Sequence, residues 1–196
     1  FMAHERAILL FLEKAEKLKT IQRALSISDN SRKESPAEHS WRVALMALIF
    51  VRELDVDLGV LKALEIILVH DLVEAVAGDV WIMDQHDGDA HQKQHAKELR
   101  AAKELYALLP RNTGNELEAL WMEYEEQSSI EAKFAKALDK IEVIVQRNNL
   151  GMKQWERQDI YPVLLHWADE AVANFPALLP FWKSVQDELT RQRDSL

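Results

Sequence analysis

With 196 residues the chain suffices for one domain with a full core or two very small ones, and 48% apolar with 29% charged residues is an ordinary globular balance that argues against disorder. A net charge of −9 without any Lys/Arg-rich run argues against nucleic acid as a partner, so a phosphate ligand would be met through a metal and a few local cations. There is no cysteine, which excludes disulfides and thiolate metal sites.

The longest apolar run, around Val43 to Val51, is too short to span a bilayer, so no membrane partner is expected. The first residues lack the pattern of a signal peptide, and the expected compartment is the cytoplasm.

Ala3 to about Arg23 reads as an amphipathic helix with Ile8, Phe11, Leu12, Ala15 and Leu18 at helical spacing, followed by a polar loop over Ser26–Ser31. Ser35, Pro36 and Glu38 form a capping box with proline at the first helical position, opening a helix to about Leu54. That helix is apolar on most of its surface, so it is expected to be central, and His39 lies in its first turn. Asp57 caps a third helix through Leu61, Leu64, Ile67 and Leu68 to His70-Asp71, with continuation toward Ala77 and Gly78 as a natural stop. Trp81 to about Ala90 reads as an irregular acidic segment.

A charged helix is expected from about His91 to Leu109 with Leu99, Ala102, Leu105, Tyr106 and Leu109 on one face. Pro110–Asn115 reads as a turn and Glu116–Gln127 as a short helix. Ser128 and Glu131 suggest a second capping box, opening a helix of about 20 residues with Phe134, Leu138, Ile141 and Val145 inward and Asp139 in its middle. Trp155 to Leu196 reads as two or three helices broken at Pro162, Pro176 and Pro180. No segment has strand periodicity, so the fold class is all-α: a single-domain helical bundle over residues 1–196, its core at about 10–150 and its C-terminal helices, 155–196, serving packing or an interface.

His39, His70, Asp71 and Asp139 interrupt apolar helices, where a charge is costly unless paired or bound to a metal. Imidazole and carboxylate donors without sulfur suit one divalent ion, Mn, Co, Mg, Fe, Ni or Zn. Adjacent helical residues point about 100° apart, so His70 and Asp71 share an ion only near a helix end or bend. Glu74 lies one turn on, where it can hold a water or exchange protons with a substrate. The bland readings are a solvent-facing His39 and an Asp139 that merely pairs with Lys136 or Lys140.

The order Glu38-His39-Ser40, His70-Asp71-x-x-Glu74, Gly78-Asp79 and Leu138-Asp139 resembles the HD-domain metal-dependent phosphohydrolases. Residues 120–134 are similar to the 5'-deoxynucleotidase-like branch, the HD domain-containing protein 2 group. The resemblance runs from about Leu10 to Arg147 and implies one ion held by His39, His70, Asp71 and Asp139. It also implies a catalytic Glu74 beside Asp71, and substrate contacts from Asp79 and from Arg23 to phosphate. Ala24 stands where the deoxynucleotidases carry a Trp used in sugar selection.

The function so implied is hydrolysis of (deoxy)nucleoside 5'-monophosphates to nucleoside and phosphate. Alternatives are an HD phosphohydrolase acting on a triphosphate or a ppGpp-like nucleotide, or a metal-stabilised binding module without turnover. A homodimer is expected, with Trp155, Trp167 and Trp182 as candidate interface residues. His86-Asp87-Gly88 reads as a solvated loop. His91 and His95 could grip a metal at i,i+4 but read as a flap or a solvated face, as do Lys133 and Lys136; His4 and His166 read as surface or packing residues.

Overall fold

A computed structural model describes residues 2–79, 88–151 and 161–195. α1 (Met2–Ala15) is shorter than its periodicity suggests, because a 3-10 turn over Glu16–Lys19 follows it. Thr20 closes that turn with its amide and its hydroxyl both bonded to the Lys17 carbonyl. Phe11 and Leu18 are buried, whereas Ile8 and Leu12 face solvent.

The expected polar loop is a short antiparallel ladder. The amides of Arg23, Glu34 and Ile27 donate to the carbonyls of Glu34, Leu25 and Arg32 at 2.9, 2.8 and 3.0 Å. Asn30 turns the chain at φ 57°, a left-handed conformation that Asn tolerates. Arg23 is thereby fixed beside Glu34 rather than ending a helix.

α2 (Pro36–Glu53) opens with the expected capping box: the Glu38 amide donates to Ser35 Oγ and the Ser35 amide to Glu38 Oε2. α3 (Val60–Val69) buries Ala63, Ile66 and Ile67, while Leu61 and Leu68 are exposed. The helix does not run on to Ala77. Amides of Leu72, Glu74, Ala75 and Val76 bond carbonyls three residues back, a 3-10 tightening that bends the chain at residues 70–73. α4 (Glu74–Ala77) follows, and Gly78, at φ 77°, ends it and turns the chain to Asp79.

The acidic segment expected over 81–90 lies outside the described residues up to 87; α5 (Gly88–Tyr106) begins at Gly88. α6 (Arg111–Glu126) takes in most of what was expected to be a turn after Pro110. Gly114 explains this: a Cβ there would stand 2.4 Å from the Tyr106 carbonyl oxygen, so glycine lets α6 approach the end of α5. α7 (Ile130–Leu150) is capped by Ser129, whose Oγ accepts from the Ala132 amide. The cap is thus one residue later than expected, and Glu131 instead accepts the Gly59 amide at the start of α3. α8 (Tyr161–Asn174) and α9 (Leu179–Asp194) complete the fold, and Pro162, Pro176 and Pro180 open helical turns rather than break them.

The central helix is α7, not α2. It is buried on several sides and packs against α2, α3, α6, α8 and α9. A larger core of α2, α3, α7, α8 and α9 side chains meets a smaller one of α1, α5, α6 and the bend, where Val69 and Val73 belong to the smaller cluster and Ile66 and Ile67 to the larger. His70-Asp71 therefore lies on the seam between two hydrophobic clusters. No strand occurs among the described residues beyond an isolated bridge between Ser26 and Lys33, and no described helix is long and apolar enough to cross a membrane. Replacing Gly114→Ala should cost about 1–3 kcal/mol by overpacking against the Tyr106 carbonyl, measured by denaturant unfolding; an unchanged midpoint would show that the approach of α5 and α6 does not require glycine.

Candidate active site

His39, in the first turn of α2, is fully buried and meets two carboxylates of α7. Its Nδ1 lies 2.8 Å from Glu142 Oε2 and its Nε2 3.1 Å from Asp139 Oδ1. Burial opposes a charged ring, as does Arg23, but Glu142 and Asp139 outweigh both and raise its pKa to about 10. A position that stabilises positive charge this strongly equally suits a bound cation.

His70 ends α3, and its Nδ1 donates to the Ile67 carbonyl at 2.6 Å. That bond leaves Nε2 as the lone-pair nitrogen, and Nε2 is buried without a hydrogen-bond partner. It faces Asp71 Oδ1 at 3.2 Å, acceptor against acceptor. Burial lowers the His70 pKa, which favours the neutral ring. The two imidazoles lie 5.6 Å apart, and donor atoms of His39, His70 and Asp71 all fall within 4.8 Å of one another. A divalent ion between them would satisfy the orphaned lone pair and the carboxylates together, so the donor set fits such an ion.

Asp139 is held from three sides. Tyr124 Oη donates to Oδ2 at 2.6 Å, Lys140 Nζ lies 2.8 Å from the same oxygen, and His39 takes Oδ1. Burial favours its neutral form, but Lys140 and His39 overcome this and keep the carboxyl well below the usual range. Pairing with Lys140 and membership of the cluster are thus compatible.

The 3-10 bend sets the rest. Side chains at i and i+3 eclipse in such a turn, which stacks Glu74 over Asp71. Burial, with Asp71 and Asp79 nearby, pushes the Glu74 carboxyl well above its ordinary value, and burial likewise raises Asp79. Arg23 reaches across from the ladder: its Nη1 lies 3.3 Å from Asp71 Oδ2 and its Nε 3.4 Å from Glu34 Oε2.

Arg23, His70, Asp71, Glu74, Asp79 and Asp139 line a cavity of about 750 Å³ together with Ala24, Lys136, Lys140 and Trp167, a size suited to a small ligand. Lys136, expected on a solvated face, turns inward with Nζ 4.0 Å from the Tyr124 ring centroid, and burial lowers its pKa. Trp182 is buried with its indole N–H on Asp169 at 2.6 Å, so it is not a free interface residue, whereas Trp167 is half-buried and lines the cavity; Trp155 lies outside the described residues. His95 stands half-exposed near Glu98 and Glu125, 3.9 Å from the latter. His4 is exposed, and His166 pairs with Glu170 at the surface. His86 and Asp87 lie outside the described residues.

Sequence reasoning missed Glu142, Glu34 and Tyr124 as parts of the site, and named Lys140 only as a pairing partner of Asp139. The signal for Glu142 was available: an acid three residues after Asp139, amid Ile141, Val143 and Ile144, shares its helix face.

Known proteins resemble this chain along most of its length. The HD-domain family profile matches residues 15–175. The 5'-deoxynucleotidase HDDC2 of Bos taurus is 38% identical over 160 residues, covering 80% of this chain and 75% of the bovine protein. The 5'-deoxynucleotidase hdd1 of Schizosaccharomyces pombe is 27% identical over 202 residues, covering 95% and 98%. A predicted metal-dependent phosphohydrolase from Magnetospirillum magnetotacticum, solved as a crystal structure, superposes with a TM-score of 0.82 at 30% identity, covering 97% of this chain and 94% of that one.

Because a carboxylate that orients a ligating histidine typically contributes 10–100-fold in metal affinity, Glu142→Gln should weaken Mn²⁺ binding by about that factor in titration calorimetry. Unchanged affinity would mean that Glu142 serves only the core.

Proposed function

This chain belongs to the HD-domain family of metal-dependent phosphohydrolases, and from that premise we propose that it hydrolyses deoxynucleoside 5'-monophosphates to nucleoside and phosphate. The observation that carries the reading is the pair of buried imidazoles turned on Asp71 and Asp139 at a cavity that also gathers Arg23, Lys136 and Lys140. The names of the bovine and fission-yeast relatives support the substrate class.

In this reading His39, His70, Asp71 and Asp139 would hold one divalent ion. Such an ion polarises a phosphoryl group and lowers the pKa of a bound water. Arg23, kept extended between Glu34 and Asp71, presents its guanidinium to the phosphate oxygens, and Lys136 adds positive charge as the phosphorus gains a fifth oxygen. Asp71 orients the attacking water. As the new P–O bond forms and the ester bond breaks, Glu74 supplies a proton to the departing 5'-oxygen and recovers one from the attacking water. Burial raises its pKa, which favours the protonated carboxyl that a proton donor requires. Asp79, next to Glu74 in the cavity lining, accepts a hydrogen bond from the sugar or the water.

Ala24 leaves open the wall where the resemblance leads one to expect Trp, and Trp167 on α8 offers an aromatic face for the base. The reading extends to a cytoplasmic homodimer, consistent with a chain that has no cysteine to pair in an oxidising compartment.

Phosphate release should be seen from 5'-monophosphates with Mn²⁺, Co²⁺ or Mg²⁺ and vanish with chelator. Release from triphosphates alone would move the substrate class, and none from any nucleotide with any metal would favour a binding module. Glu74→Gln should lower kcat by a factor of about 10²–10⁴ while the protein retains its metal by elemental analysis. Loss of metal together with activity would contradict the division of roles between Glu74 and the ligands.

A further inference from the structure

The surface of α2 and α3 breaks the usual pattern of an amphipathic helix, whose solvent side is charged. On α2 the exposed positions before its last two residues are Trp41, Leu45, Leu48 and Ile49. On α3 every exposed position is apolar, with Leu61 at 70% and Leu68 at 58% of full exposure. Trp41 is 65% exposed and touches no other described aromatic ring within stacking range. The two helices pack on each other and both pack on α7, so their sides away from α7 adjoin.

We infer that this α2–α3 face is the contact between two copies of the chain. The inference deepens the homodimer reading above by naming its surface, and it is independent of the nucleotidase reading.

Its area supports a second copy. The six side chains Trp41, Leu45, Leu48, Ile49, Leu61 and Leu68 expose on the order of 600 Å², the upper end of what monomers leave open. With Val60 and the Arg52 stem at the rim, the face approaches the roughly 800 Å² that one side of a standard interface buries. Its shape supports the same occupant. A helix pair joined by the short connection of residues 54–59 is half of a four-helix arrangement, and a two-fold related copy supplies the other half with the same apolar face. Charge argues against the alternatives: the face carries no Lys, and a chain of net charge −9 is repelled by anionic lipid and by nucleic acid. The contact would back α2 and α3, the helices that carry His39 and lead into His70-Asp71.

Sedimentation of the metal-loaded full chain at micromolar concentration tests this. The wild type should run at twice the 22.6 kDa chain mass, and Leu45→Glu and Leu61→Glu should each run at the single-chain mass with wild-type circular dichroism. The chain has no cysteine, so Leu45→Cys and Leu61→Cys give single thiols that a short bismaleimide should join into covalent dimers. Arg191→Cys, exposed on α9, should stay monomeric under the same treatment. A wild type of single mass would overturn both the dimer and its surface, and binding of that monomer to phosphatidylcholine vesicles would assign the face to a lipid surface. A dimeric wild type whose face variants remain dimeric, with equal cross-linking from Arg191→Cys, would overturn the surface alone.

Discussion

The structure turns on two buried imidazoles that each present a nitrogen to a carboxylate. His70 Nε2 faces Asp71, and His39 Nε2 faces Asp139. Two acceptors do not attract one another; they need a proton or a cation between them. His39 can take a proton because Glu142 and Asp139 stabilise the charged ring. His70 does so less readily, since burial lowers its pKa, and with Nδ1 donating to Ile67 its Nε2 is left as the lone-pair nitrogen. A divalent ion resolves both conflicts at once, and the surrounding fold makes sense as the means of presenting these four donors to it.

Each of the four candidate ligands reaches the centre through a specific local device. Ser35 and Glu38 fix the start of α2, which puts His39 in a first turn aimed at α7. The 3-10 tightening after Val69 turns His70 and Asp71 out of an apolar helix at the seam between two cores and stacks Glu74 over Asp71. The ladder from residue 23 to 34 holds Arg23 between Glu34 and Asp71, so a cation faces a group of acids that would otherwise repel one another. α7 contributes Lys136, Asp139, Lys140 and Glu142 within two turns, which is why the central helix of the core also carries much of the site.

Much of this was legible in the sequence. The Ser35 capping box and the helical class followed from local chemistry, the convergence of His39, His70, Asp71 and Asp139 from the order of the motifs, and the requirement for a bend at His70-Asp71 from helical geometry alone. What was not legible depended on tertiary context. α7 is buried on several sides, so its periodicity did not show whether Lys136 faced water or the cavity. Glu131, three residues after Ser128, looked like half of a capping box but is recruited by the Gly59 amide of another helix. Gly114 looked like part of a turn because its use, a close approach to the Tyr106 carbonyl, lies between two helices. Nor did the apolar side chains of α3 show which of them face inward: a core residue is usually apolar, but the rule holds in one direction only, and Leu61 and Leu68 are exposed.

The account rests on where the ion binds. Anomalous diffraction from a Mn²⁺-loaded crystal, recorded at the manganese edge, locates it directly. The expected result is one strong peak about 2.2 Å from Nε2 of His39 and of His70 and from carboxylate oxygens of Asp71 and Asp139. A peak at His95, Glu98 and Glu125 with none between the two buried imidazoles would contradict it.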